Sequence, residues 1–422
     1  MRRAECVNII PESLTHKLKF FAASWLTCFA VLLAMYIIFY PGGFSPDSID
    51  QYRQAIGVSQ YNDWHPVLHT LFAFTLPLKL SGGWIGSIVF FQVLVFSLAM
   101  AYMLYVLAEY GSRKYSVIVM LYMLLNPATL SIVMYPWKDV TFAVFAMLSM
   151  TFAVRVYFTG GRWLERTGNI IVFILVLSCA TIFRHNAILF TFPLLFAVML
   201  YAGKKQKIFL VVGVCAVLFM IRGVLYPYLD VKKPGSRVVE TTCTPMTVIA
   251  DAVMDSEDKI DNDIKDFLYS VAPREKWKEY YSIGSFNSVK FKGIDGNPIE
   301  EAGHIKIIGM MLRCVREAPF ASVRGFIALT DMVYGIAGNV DWNILPGVID
   351  NDYGIKSGGI HLLQYVYKAY HYMSLVFFKH IFWHTGILML AVIIFCLAKF
   401  DFRDVKKLCL IMPLFTYNFG TM

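Results

Sequence analysis

The chain has 422 residues, of which 58% are hydrophobic and 16% aromatic, with a mean hydropathy of +0.58. This excludes an ordinary soluble domain; apolar runs recur near the ~20 residues a bilayer requires, so the expected class is an all-α polytopic membrane protein. The net charge of +9 does not mark a nucleic-acid binder, because the basic residues gather in short linkers between apolar runs, as cytoplasmic loops do.

In chain order, a polar start with Arg2, Arg3, Lys17 and Lys19 precedes an apolar run over residues 20–40. That run is too long for a signal-peptide core and reads as an anchor with its N-terminus in the cytoplasm. A loop over 41–83 follows, and within it residues 65–80 form a short apolar stretch carrying two histidines, Pro77 and Lys79. Further spans are expected at 84–108, 115–135 (interrupted by Asn126-Pro127), 140–158, 169–183, 187–201 and 208–225. If 65–80 lies along the outer surface as an interfacial helix, the linkers at Arg113, Arg162, Lys204 and Lys399–Lys407 all fall inside. If it crosses, the first three move outside, which the positive-inside rule disfavours.

The segment over 230–370 is polar and mixed in charge, and residues 251–268 are expected to form an amphipathic helix with a solvated acidic face. Residues 320–338 read as an outer interfacial or re-entrant helix and 341–370 as loop. Residues 371–398 read as one span, followed by a basic linker with Arg403 and a last apolar run over 408–422. This gives at least nine crossings and three parts, 1–229, 230–370 and 371–422, the last expected to be truncated. The eight cysteines show no metal-finger spacing. Cys243 and Cys314 share the polar region and read as unpaired thiols, with a disulfide as the alternative.

The chemistry-bearing residues concentrate on one face. Ser45-Pro46-Asp47 is a helix-start signature, a capping hydroxyl, a first-turn proline and an acid favoured by the helix dipole. On that helix Asp47, Asp50 or Gln51, and Gln54 share a side. Asp47 is either a capped surface acid or a carboxylate poised as general base. His65 and His69, four apart beside Asp63, are either packed interfacial residues or a metal-facing pair. Lys138-Asp139 reads as an ion pair at a span end. Arg184, followed by His185 and Asn186, places a cation at the outward end of a span, where an anionic partner such as a lipid phosphate would explain it.

Together these residues resemble the GT-C glycosyltransferases, enzymes that use polyprenyl-phosphate sugars and include protein O-mannosyltransferases and the aminoarabinose transferase of lipid A. The pattern is closer still to a bacterial membrane-protein family related to them. It is carried by Pro41, Gly42, Asp47, Ser48 and Gln51, then Asn62, His65, Pro66 and His69, then Trp137 to Val140 and Arg184 to Asn186. Ala187 stands where that pattern has glycine. The resemblance implies a lipid-linked sugar donor, an envelope glycan, lipid or protein acceptor, and an extracytoplasmic active site in the bacterial plasma membrane. Asp47 and Asp50 would be catalytic, and Gln51, His65, His69, Lys138, Asp139, Arg184 and Asn186 would bind substrate or phosphate. A divalent cation (magnesium or manganese) held by Asp47, Asp139 and His65 is an open element of the expectation. The rival readings are a transporter or flippase of lipid-linked precursors and a non-catalytic envelope assembly protein.

Overall fold

The computed structural model describes residues 14–233, 238–336, 343–399 and 404–420. Arg2, Arg3 and Arg403, and residues 337–342 at the junction of two expected segments, lie outside the described residues. Among the described residues the secondary structure is helical, and four helices are long and apolar enough to cross a membrane: Thr15–Ile38, Ser87–Tyr110, Lys138–Phe158 and Lys204–Tyr228. Shorter apolar helices accompany them, including Val67–Leu80, Thr167–Phe183 and His185–Met199. The chain divides into two compact units, residues 1–233 with 339–383 and 397–421, and residues 234–338 with 384–396. The expected 230–370 part therefore divides at about residue 338.

In the first unit, α1 (Leu14–Ile38) contains neither glycine nor proline and ends before Pro41-Gly42. Ser45 opens α2 (Pro46–Ala55) as expected: its backbone is extended and its side-chain oxygen accepts from the Ser48 N–H at 3.4 Å. Next comes α3 (Val67–Leu80), whose turns over Thr70–Thr75 are π-wound. At ~1.5 Å per residue its 14 residues reach about 21 Å, less than the ~30 Å of a hydrocarbon core. It buries Val67, His69, Ala73, Phe74 and Leu78 against the bundle.

Two further helices set the direction of the bundle: α4 (Ser87–Tyr110) and, after a broken return through α5 (Arg113–Leu125) and α6 (Pro127–Ile132), α7 (Lys138–Phe158). The break falls where the sequence places it, because the residue before a proline avoids helical backbone and the Asn126 side chain caps the next helix from Ala128 N–H at 2.9 Å. Lys17 Nζ meets Glu109 Oε1 at 2.9 Å while Tyr36 donates to Gly86 O at 3.0 Å, so α1 and α4 are antiparallel. Arg155 meets Glu109 at 2.7 Å and Gln92 donates to the carbonyls of Val133 and Tyr135, so α4 and α7 run the same way. Helix α8 (Thr167–Phe183) returns to the end where α7 begins, and α9 (Ile188–Met199) leaves it again. Helix α10 (Lys204–Tyr228) comes back once more, and there Lys232 N–H donates to Tyr61 O at 2.8 Å. Outward residues of α10 are apolar: Ile208 is 66% exposed, Val212 60% and Phe219 66%, a surface suited to lipid.

In the second unit, α11 (Cys243–Ser256) packs Met246, Ile249 and Val253 against Ile264, Leu268, Trp277, Phe286 and Met310. The expected 251–268 helix is two: α11 stops at Ser256, a short turn intervenes, and α12 (Asn262–Val271) follows. Asp251 belongs not to a solvated face but to the interior, with its side chain 1% exposed; its Oδ2 accepts from Gly284 N–H at 3.1 Å. That is possible because α13 (Asn297–Glu317) is followed by α14 (Pro319–Tyr334), whose Gly325 has no side chain to collide with that carboxylate. Cys243 and Cys314 are free thiols.

The expected single span over 371–398 is interrupted. Helix α15 (His361–Phe377) starts ten residues earlier and is capped at Phe378, and a single helical turn over Lys379–Phe382 precedes the next helix at Thr385–Lys399. The polar pair Lys379-His380 falls inside the apolar run, and Trp383 folds back to donate to Ser374 Oγ at 2.9 Å. Before α15, residues 343–360 form a strap over the first loop. Phe44 N–H donates to Gly347 O, Ile349 N–H to Phe44 O and Gly358 N–H to Tyr40 O.

Candidate active site at the start of two helices

The first turns of α2 and α7 open onto one cavity of about 190 Å³, lined by Asp47, Gln51, His65, Trp137, Lys138 and Asp139. Trp137, the residue before α7, is fixed by an indole N–H bond to Ser45 Oγ at 2.9 Å and stacks on Tyr135 at 4.6 Å. Ser45 thus serves both helix starts: it caps α2 and anchors the entry to α7.

Asp47, in the first turn of α2, has its side chain 59% exposed toward this space, and its Oδ1 lies 3.8 Å from His65 Nε2. The imidazole of His65 is buried, 3% exposed. Lys138 Nζ lies 3.2 Å from His65 Nδ1. An ammonium group only donates, so Nδ1 must accept and the neutral ring carries its proton on Nε2, the nitrogen that faces Asp47. Burial first, and the Lys138 charge second, push the His65 pKa down to about 4. It is therefore neutral at physiological pH and orients toward Asp47 as an N–H rather than as a cation.

Gln51 forms the floor. It is 1% exposed, and its Oε1 accepts from His69 Nδ1 and from Thr70 Oγ1 at 3.3 Å. Thr141 Oγ1 bonds the other His69 nitrogen at 3.1 Å. Both ring nitrogens of His69 are thus engaged inside the protein, and the residue supports Gln51 from beneath instead of lining the cavity. Asp50 accepts from Gln54 Nε2 at 2.9 Å and stands beside the cavity rather than in its lining. Arg184 grips Asp139 at 2.6 Å and lies over the Tyr417 ring at 5.7 Å. His185 bonds the Asp63 carbonyl at 3.2 Å, and Asn186 is exposed on the turn that follows.

Of the residues singled out in the sequence, Asp47, Gln51, His65, Lys138 and Asp139 line one cavity, and Arg184 joins them through Asp139. The sequence marks Ser45 only as a helix cap and Trp137 only as part of a pattern, not as anchor and aromatic wall of the cavity, and it does not single out Thr141 at all. A signal for Thr141 existed, since it lies three residues after Lys138 and so on the same helical face.

The trio Asp47, Asp139 and His65 does not fit a divalent cation in this arrangement. The Lys138 ammonium occupies one nitrogen of His65, the other carries the proton, and Asp139 is held by Arg184. Positive charge at this site already comes from side chains. Compared with known protein families, characterised proteins and solved structures, the chain matches none.

Proposed function

We propose that the chain is a GT-C-type membrane glycosyltransferase that moves a sugar from a polyprenyl-phosphate carrier to an envelope acceptor hydroxyl. One observation carries the reading: a solvent-open carboxylate, Asp47, shares a cavity with the Lys138–His65 pair and the Trp137 ring. A carboxylate, a cation and an aromatic face are what a sugar phosphate and an attacking hydroxyl require. Asp47 takes the proton of the acceptor hydroxyl as its oxygen attacks the anomeric carbon. The bond from that carbon to the phosphate oxygen breaks, and the lipid phosphate leaves with the electron pair and with inversion. A phosphate needs no proton to leave, so one base suffices. Lys138 stabilises the charge that grows on the departing phosphate, Trp137 offers an apolar face to the sugar, and His65 presents its Nε2–H to the same space 3.8 Å from Asp47.

The charge distribution supports an orientation. Arg113, Lys114, Arg162, Arg166 and Lys204 all sit at the end of the bundle opposite the cavity, as cytoplasmic residues would. The reading accordingly puts the N-terminus in the cytoplasm of a bacterial cell and the cavity outside the plasma membrane. The nine expected crossings would need shorter helices such as Thr167–Phe183 and His185–Met199 as well as the four long ones, with Val67–Leu80 left outside as an interfacial helix.

The test is the Asp47→Asn variant in a cell-envelope transfer assay with a radiolabelled lipid-linked sugar. Transfer should fall by at least 10³-fold, within the usual range for loss of a general base combined with its charge, with unchanged membrane insertion. An active Asp47→Asn chain, or labelled lipid crossing liposomes with no covalent product, would overturn the assignment.

A further inference from the structure

The opposite end of the same helices carries a second constellation that the proposed transfer does not use. Glu109 binds both Lys17 at 2.9 Å and Arg155 at 2.7 Å. The Arg155 guanidinium also lies over the rings of Tyr102 and Tyr105, at 5.5 and 5.4 Å. Two cations share one carboxylate, so the group keeps a surplus positive charge. Arg162 and Arg166, exposed on the turn between α7 and α8, add to it. Along α7, Arg155 is 17 residues from Lys138, about 25 Å at ~1.5 Å per residue, so this cluster is remote from the Asp47 cavity.

A cavity of about 380 Å³ opens beside the cluster, and its lining is sorted by depth. Arg155, Trp163 and Asn169 stand at the end of α7, on the turn, and at the start of α8. Leu148 lies two turns further into α7 and Val172 one turn further into α8, with Phe152 between. The Trp163 ring is held against Phe152 at 5.2 Å, and Asn169 fixes the Trp163 carbonyl at 2.8 Å. The slot therefore has a cationic, indole-bearing mouth and an apolar floor running along the helices. That gradient matches one molecule lying parallel to them: an anionic head at the mouth and a hydrocarbon chain along the floor. Indole and arginine side chains at headgroup depth, and basic pockets between helices, are recurrent partners of such lipids.

We propose that this cavity binds an anionic phospholipid, with its phosphate at Arg155 and one acyl chain along Leu148, Phe152 and Val172. The inference stands on the slot alone and does not depend on the glycosyltransferase reading. A free phosphate offers the same head without the chain, and a neutral diacylglycerol the same chain without the head.

The full chain, purified in a neutral detergent and stripped of lipid, is titrated with dioctanoyl phosphatidylglycerol, dioctanoylglycerol or inorganic phosphate. Bound species are counted by native mass spectrometry. The expected result is one saturable phosphatidylglycerol site, at least tenfold stronger than either partial ligand. Arg155→Gln should weaken it tenfold or more. Should Arg155→Gln fail to fold, Val172→Trp, which fills the slot from a half-exposed position and leaves the Lys17–Glu109–Arg155 group intact, should weaken it similarly. Equal binding of dioctanoylglycerol, displacement of the phospholipid by an equal concentration of inorganic phosphate, or unchanged affinity in Val172→Trp would each overturn the proposal.

Discussion

Acid should destabilise this protein through His65 as the pH falls below about 6.5. An unfolded histidine takes up a proton near pH 6.5, whereas burial and then the Lys138 charge delay uptake in the folded chain to about pH 4. Between those values the unfolded state binds the extra proton, so stability is full above pH 6.5 and falls as pH drops toward 4. The gap of about two and a half units corresponds to roughly 3 kcal/mol at about 1.4 kcal/mol per unit, and about 2 kcal/mol of it is lost by pH 5. His69, whose pKa burial pushes down to about 3, adds a second proton of the same sign. The assay is reversible unfolding in mixed micelles at half-unit steps from pH 7 to pH 5. His65→Gln should remove about one proton from the slope, and Lys138→Met should lower it by letting the imidazole rise toward its ordinary value. A His65→Gln chain with the parental slope would refute the reasoning, because the proton would then be bound elsewhere.

Two further outcomes follow from the packing. Gln51→Leu should cost about 2 kcal/mol, because it leaves the buried His69 Nδ1–H without its acceptor. The double change Gln51→Leu with His69→Phe should cost at least 1 kcal/mol less than the sum of the single changes, measured as a double-mutant cycle in the same micelles. Gly42→Ala should lower the thermal midpoint of the purified chain by several degrees. The residue has φ +112°, and a Cβ there would lie 2.5 Å from Val89 Cγ2 and 2.8 Å from Met134 O. A neutral Gly42→Ala change would mean that the turn into the first loop is looser than described.

The helix starts were legible because their signals are local. Ser45-Pro46-Asp47 and Asn126-Pro127 write their caps and breaks into three or four adjacent residues, and both appear where expected. The convergence of Asp47, His65, Lys138 and Asp139 was legible at one remove, from counting which loops share an end of the bundle. What could not be read was which side of a helix faces which neighbour. His69 looked equivalent to His65 at a spacing of four, yet one ring lines the cavity and the other is sealed between Gln51 and Thr141. Asp251 looked like one of a row of solvated acids, and only a glycine more than seventy residues later makes room for it indoors. The break near Phe378 had a local mark in Lys379-His380, but the reach of Trp383 back to Ser374 that shapes it could not be read from the sequence.

The Trp137–Ser45 bond has a consequence for biogenesis. It joins the entry of α7 to the cap of α2 across 92 residues of chain. A ribosome that has released only the first two long helices has therefore delivered Asp47 and His65 but neither the lysine that sets the imidazole's tautomer nor the indole that closes the wall. The pocket lining is complete only once α7, the third long helix, has joined the bundle. Until then the nascent protein carries Asp47 and a histidine whose proton is not yet placed by Lys138.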